Sequence, residues 1–316
     1  MSTRTLKEYI FILVKGLAMG AADVVPGVSG GTIAFITGIY DELLHSLKKV
    51  GPEALKVLFK EGFFKAWHFV NGNFLLAVFG GVLISIKTFA SIISFCLDNY
   101  PLLVWGFFSG LILASIVLLV RHQDGWRWQD SILCFLGAAV VVFISLAKPS
   151  QLPGEWWILF FGGFVAICAM ILPGISGSFI LLLVGLYPVF IEAVKTVDVI
   201  ALLSFGGGCV AGLMVFSRVL SWLLDRYYRE TIAVLIGFLV GSLNVTWPWK
   251  EVVTSVTNRH GEVIPLVQKN VSPFYFGQNI ADNNQLLGVV LLAVGGMVLV
   301  LCTEFISSKF KKNEEK

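Results

Sequence analysis

The sequence predicts an all-α integral membrane protein: an inverted-topology repeat, each unit a re-entrant helical hairpin followed by three transmembrane helices. Three observations predict it. Of the 316 residues, 57% are hydrophobic and 14% charged, against roughly 25% charged in a soluble domain. Two proline-glycine breaks, Pro26-Gly27-Val28-Ser29-Gly30-Gly31 and Pro173-Gly174-Ile175-Ser176-Gly177-Ser178, each split an apolar run. The resulting arms are shorter than the ~20 residues a membrane-crossing helix needs. Finally, the chain matches itself across these breaks.

The first unit is read over residues 1–150 and the second over 151–316 of a single membrane domain. The hairpin at 9–47 comes first. Proline with three glycines in six residues cannot continue a helix, and in lipid such a break survives only where protein or a wet cavity satisfies its backbone. Residues 48–73 interleave Lys48, Lys49, Lys56, Lys60 and Lys65 with Phe63, Phe64, Trp67 and Phe69, the pattern of a helix lying on the membrane surface. Three spans follow within 74–147: Phe74 to Leu97, Leu102 to Val120 and Ile132 to Ala147. The second hairpin covers 158–194, and spans begin at Ile200, Thr231 and Leu286, the last ending near residue 306. Residues 250–285 form the longest polar stretch.

An offset of 147 residues superposes the breaks: Pro26 meets Pro173, Gly27 Gly174, Ser29 Ser176, Gly30 Gly177, Gly38 Gly185 and Tyr40 Tyr187. In the next helices the offset is 131, pairing Gly81 with Gly212, Lys87 with Arg218, Gly106 with Gly237 and Gly110 with Gly241. A hairpin returns to its own side and three spans are odd, so the second unit enters from the opposite face. Inverted repeats with broken helices meeting near the midplane are a recurring plan of secondary transporters. With the N-terminus in the cytoplasm, fifteen lysines and arginines fall inside and five outside, three more lying within apolar segments. This satisfies the positive-inside rule and places both termini in the cytoplasm.

Several function classes are excluded. A net charge of +3 with no long basic run argues against a nucleic-acid partner. The five cysteines lie in apolar segments without paired spacing, and the four histidines are scattered, so neither a disulfide framework nor a metal site is expected. Gly80-Gly81, Gly162-Gly163 and Gly206-Gly207-Gly208 read as close helix packing. They lack the strand and the Lys-Ser or Lys-Thr of a nucleotide loop. No cofactor is expected, and no nucleophile with a nearby base is discernible, so the chain reads as a non-enzyme.

Gly16-Leu-Ala-Met-Gly-Ala-Ala-Asp-Val-Val-Pro-Gly-Val-Ser-Gly-Gly-Thr32 with Gly38-Ile39-Tyr40, and Met170-Ile-Leu-Pro-Gly-Ile-Ser-Gly-Ser178, resemble the paired motifs of the bacterial polyprenyl-phosphate transporters. The resemblance covers nearly the whole chain. It implies a translocase of the bacterial cytoplasmic membrane that returns undecaprenyl phosphate, the carrier of cell-wall and surface-glycan precursors, from outer to inner leaflet. The partners implied are the lipid and the bilayer; coupling to a proton or sodium ion and homo-oligomerisation are left open. An anion or small-solute channel is the alternative, and a lipid-phosphate phosphatase a more distant one.

Such a cargo needs an anion site near the midplane, because hydrocarbon does not solvate phosphate. The candidates in the first break are Gly27, Ser29, Gly30, Gly31 and Thr32; in the second they are Gly174, Ser176, Gly177 and Ser178. These glycines permit close backbone approach, and helix N-termini supply N–H donors. Lys87 and Arg218 are the expected counter-charges, since a cation mid-helix costs about 2.5–3.5 kcal/mol on insertion scales and so marks function; snorkelling or pairing with Asp23 or Glu304 is the alternative. Asp23 is read as a helix cap, a partner for Lys15 or Lys87, or an ion-coupling acid. Lys15 has a weaker claim, because Gly162 takes its place in the second unit.

Overall fold

The computed structural model describes residues 4–23, 29–123, 125–147, 152–257, 263–281 and 283–314. The first unit begins with α1 (Leu6–Asp23), α2 (Gly30–Ile36) and α3 (Tyr40–Lys49). Two short helices, α4 (Pro52–Glu61) and α5 (Phe63–Phe69), lead to α6 (Gly72–Asn99), α7 (Pro101–His122) and α8 (Trp128–Leu146). The chain continues with α9 (Trp156–Ile171), α10 (Gly177–Leu183), α11 (Tyr187–Thr196), α12 (Val199–Arg226) and α13 (Tyr228–Val245). It ends with the strands β1 (Lys250–Thr257) and β2 (Val263–Asn270), then α14 (Pro273–Asn279) and α15 (Leu286–Glu314).

The protein is a multi-pass helical membrane protein. Helices α7, α8, α12 and α13 are each apolar and long enough to cross a bilayer. At 1.5 Å per residue, the 28 residues of α6 reach about 42 Å. Phe135, Phe143, Ile200 and Leu203 are each about 70% exposed or more. Side chains of this kind belong against acyl chains, because water does not tolerate an apolar surface so extensive. The main core lies inside, where Leu44, Phe74, Val78, Leu235, Ile236 and Leu239 are almost fully buried.

Each long helix packs in parallel on the first helix of its own unit. Gly16 abuts Val78 and Gly20 abuts Val82, so numbers on α1 and α6 rise together. Phe160 abuts Gly208 and Phe164 abuts Gly212, giving α9 and α12 the same relationship. The remaining spans pair across the units. On α7, Gly106 lies against Val289 and Gly110 against Ala293 of α15; on α13, Gly237 lies against Cys134 and Gly241 against Ala138 of α8. Both pairings are parallel, and in each the glycine lets the backbones approach without an intervening Cβ. The ends of the α8–α13 pair are tied by Asp130 to Arg229 at 2.5 Å and by Asn244 to Ser145 at 2.9 Å.

Three features depart from the sequence reading. The apolar segment after each Pro-Gly break is two short helices, not one, broken at Gly38 (φ 71°) and Gly185 (φ 75°). Both glycines hold the left-handed conformation that side-chain-bearing residues avoid, and α10 and α11 meet at 105°. The surface segment is likewise split: α4 and α5 join at Gly62 (φ 89°), and α4 has no buried residue. Lastly, the polar stretch after α13 contains an antiparallel hairpin pairing Lys250 with Asn270 and Thr257 with Val263, so the fold is predominantly rather than wholly helical.

The N-terminal end of α1 lies beside the start of α3 and the start of α6. Arg4 donates to both Glu42 carboxylate oxygens, at 2.6 and 2.7 Å, and Asn71 at the start of α6 donates to Glu42 at 2.9 Å.

Candidate functional site

The two breaks meet. Where α9 stops, its last carbonyls lose their intrahelical donors, as at any helix C-terminus. The first unit supplies replacements: Ser29 Oγ donates to Met170 O at 2.8 Å and the Tyr40 hydroxyl to Ile171 O at 3.0 Å. In return the Gly174 N–H donates to Thr32 Oγ1 at 2.8 Å. Ser29, Thr32 and Tyr40 are each no more than 2% exposed, so these bonds are shielded from competing water. Gly31 lies so close to Met170 and Ile171 that a Cβ there would come within 2.6 Å of the Ile171 carbonyl. Gly174 holds φ 84°, and a Cβ there would come within 2.7 Å of the Phe238 carbonyl. Small residues at both positions are therefore a packing requirement of the junction.

The two tips are not equivalent in detail. In the first, Asp23 Oδ1 accepts from the Gly30 N–H at 2.6 Å, and Ser29 Oγ accepts from the Gly31 N–H at 3.1 Å. Asp23 and the N-cap Ser29 thus engage both donors at the start of α2. In the second, Met170 stands where Asp23 would, and Ser176 pairs with Ser178 at 2.9 Å. Both α2 and α10 have only seven residues, under two turns, so local donors matter more here than a macrodipole. Lys15 donates to the Thr37 carbonyl at 2.7 Å, at the bend before Gly38. Gly27 and Pro26 lie outside the described residues.

Lys87 and Arg218 sit at corresponding depths. Because α6 runs parallel to α1 with Gly20 against Val82 and Ser85, Lys87 reaches the level of the first break; its side chain is exposed. The register of α12 on α9, with Gly212 against Phe164 and Ile167, brings Arg218 to the level of the second. Arg218 donates to Met214 O at 2.7 Å and lies against Gly51, between α3 and α4. Near each cation is a fully buried hydroxyl without a hydrogen-bond partner among the described residues: Ser85 on α6 and Ser217 on α12. Buried polar groups are nearly always satisfied, so this pair marks spare capacity beside both cations.

The cavity beside Gly174, Ser176 and Phe179 measures about 10 Å³, room for about one water. Among the described residues no group of three or more His, Cys, Asp or Glu side chains could hold a metal. Sequence reasoning missed Tyr40 as a junction residue, although its match to Tyr187 flagged it, and could not foresee the Met170 and Ile171 carbonyls, which carry no side-chain signal.

A family model described as VCA0040-like, undecaprenyl phosphate translocase-like, matches residues 19–264. The chain is 45% identical over 309 residues to a polyprenyl-phosphate transporter of Vibrio cholerae serotype O1, covering 98% of this chain and all of that relative. It is 30% identical over 254 residues to a polyprenyl-phosphate transporter of Staphylococcus aureus, covering 75% of this chain and 85% of that relative. No solved structure matches. With agreement over nearly its full length and both broken-helix motifs in place, the chain belongs to the undecaprenyl phosphate translocase-like family.

Proposed function

We propose that this chain is a polyprenyl-phosphate carrier that returns undecaprenyl phosphate from the outer to the inner leaflet of the cytoplasmic membrane, for reuse in cell-wall and surface-glycan synthesis. The observation that carries the reading is the junction of the two hairpins, held by the Gly174–Thr32, Ser29–Met170 and Tyr40–Ile171 bonds. When the tips part, the Ser29 and Tyr40 hydroxyls on the first and the Gly174 N–H on the second are left as donors facing the opening. A phosphate entering there takes those bonds over, so its desolvation is compensated by donors freed in the same motion. Lys87 and Arg218, at the depth of the two breaks, supply opposite charge, and the prenyl tail stays in lipid. Ser176, Gly177 and Ser178 complete the ring on the second tip.

The parallel pairing of α7 with α15 and α8 with α13 supports the inverted repeat. If both units entered from the same face, a second span and a third span would run antiparallel. Their parallel approach at Gly106–Val289 and Gly237–Cys134 fits units of opposite orientation. The Arg4–Glu42 contact likewise supports a first hairpin that returns to its own side. Two broken tips facing each other at midplane then expose one site to either leaflet in turn.

Translocation of labelled undecaprenyl phosphate in proteoliposomes tests the reading, with proton and sodium gradients varied separately. Movement well above empty vesicles is expected. Correctly folded protein that moves none of the lipid under any gradient would overturn it.

A further inference from the structure

At the end of α6 and α7 remote from Arg4 and Asn71 lies a cavity of about 310 Å³, separate from the hairpin junction. Leu102 and Trp105 of α7 and Phe276 of α14 form its apolar wall, while Lys250, Gln268 and Gln285 line the polar side. Lys250 lies over the Trp105 ring, 4.6 Å from its centroid, and donates to Val245 O at 2.5 Å. An ammonium has three N–H groups; the carbonyl and the ring engage two, which leaves one for a ligand. Among the described residues no carboxylate lines the cavity, and a partly desolvated cation of this kind ordinarily calls for an anion. The opposite wall is held in place: Trp249 Nε1 donates to Asn284 O at 2.8 Å, the Gln285 N–H donates to Asn283 Oδ1 at 2.9 Å, and Gln285 takes the uncommon φ of 47°.

We propose that this cavity is a second, peripheral phosphoryl-binding site, where Lys250 and the neighbouring amides hold the phosphate and Trp105, Leu102 and Phe276 cover the hydrocarbon attached to it. Small-ligand sites begin near 300 Å³, and a bare phosphate would leave most of this volume empty, whereas a lipid phosphate fills both the polar and the apolar parts. The proposal rests on the carrier reading above. With the termini in the cytoplasm the cavity opens on the outer face, where spent carrier is loaded before reaching the hairpin junction.

The full-length protein in nanodiscs, labelled with 5-fluorotryptophan, gives a local probe: the ¹⁹F resonance of Trp105, assigned with W105F. Titration with farnesyl phosphate is expected to shift it, and K250Q to weaken that response by about 10-fold or more. Ala281→Trp, which fills the cavity from its rim, gives the same loss by a different route and covers the case of a misfolded K250Q. Farnesyl phosphate binding at least 10-fold tighter than inorganic phosphate assigns the site to lipid headgroups, while equal, Lys250-dependent binding of both assigns it to free phosphate. An unshifted resonance, an equal response to farnesol, or a K250Q curve matching wild type overturns the proposal. If K250Q leaves binding unchanged while wild-type proteoliposomes transport, this site falls and the carrier stands; if Trp105 responds but nothing is transported, the carrier reading falls instead.

Discussion

Thr32 Oγ1 accepts a hydrogen bond from the Gly174 N–H at 2.8 Å, joining residues 142 positions apart that lie at the two broken helices. One partner is a side chain beside the first break and the other a backbone group beside the second. Thr32→Val keeps the shape and removes the acceptor. It leaves a buried N–H unsatisfied, at a cost of about 1–3 kcal/mol, and thermal unfolding in detergent should report a lower midpoint. Thr32→Ser should recover most of the loss, and a Val variant as stable as wild type would deny the bond any structural weight.

Carrier action requires this junction to open. Ser29→Cys with Met170→Cys, in a background lacking the five native cysteines, should be joined when oxidised in the presence of a short dithiol linker, because the Met170 backbone carbonyl is 2.8 Å from Ser29 Oγ. Oxidised protein is expected to lose lipid translocation and reductant to restore it. Full transport by the crosslinked form would exclude tip separation from the cycle.

The positions of Lys87 and Arg218 give a third prediction. Lys87→Ala and Arg218→Ala should each lower polyprenyl-phosphate transport about 10-fold or more, the scale of one charge-assisted contact, with insertion and yield unchanged. Arg218→Lys should restore part of the activity. Normal transport by the double alanine variant removes both residues from the cargo path.

How far the sequence reached depends on the kind of signal. Spans and breaks were legible because hydropathy and the Pro-Gly clusters are local properties, and α6, α7, α8, α12 and α13 lie where apolar length placed them. The bends at Gly38 and Gly185 were flagged by their match but not read as helix ends, since one glycine in a helical pattern is often tolerated. The hairpin at 250–270 had a signal in its valines and threonines, offset by Pro265, which usually counts against a strand. Partner choice was not legible: Lys15 meets the Thr37 carbonyl, a group with no side-chain signature, and nothing local pairs α7 with α15. The Lys250 cavity draws on residues from 101 to 285, so it exists only in three dimensions.

The cross-unit glycines lead to a stability test with an internal control. A Cβ at Gly110 would overlap the Ala293 carbonyl and one at Gly237 the Cys134 carbonyl, whereas Gly80 has nothing within 4 Å. Gly110→Ala and Gly237→Ala should therefore each destabilise by about 1–3 kcal/mol, the usual cost of overpacking, and Gly80→Ala should be neutral or slightly stabilising through helix propensity. Equal unfolding midpoints for all three would contradict the close approach of α7 to α15 and of α13 to α8.

The environment of Lys250 fixes the direction of a pH effect. Burial pushes its ammonium down to about 8 from the ordinary 10.5, because desolvation penalises the charged form. Phosphate binding needs that form, and no other titratable side chain lines the cavity among the described residues. A phosphomonoester loses its second proton near pH 6, so between pH 7 and 9 only the lysine changes charge. Its protonated fraction falls from about 0.9 to about 0.1 over that interval, and farnesyl phosphate affinity at the Trp105 resonance should fall about 10-fold with it. Lys250→Arg stays charged and should bind with a flat profile, while Lys250→Gln should be weak throughout. Folding responds with the opposite sign: the folded state releases this proton more readily than the unfolded chain, so its contribution to stability rises with pH from about 8 to about 10.4. Binding that strengthens toward pH 9 in the wild type would show that Lys250 is not the group holding the phosphate.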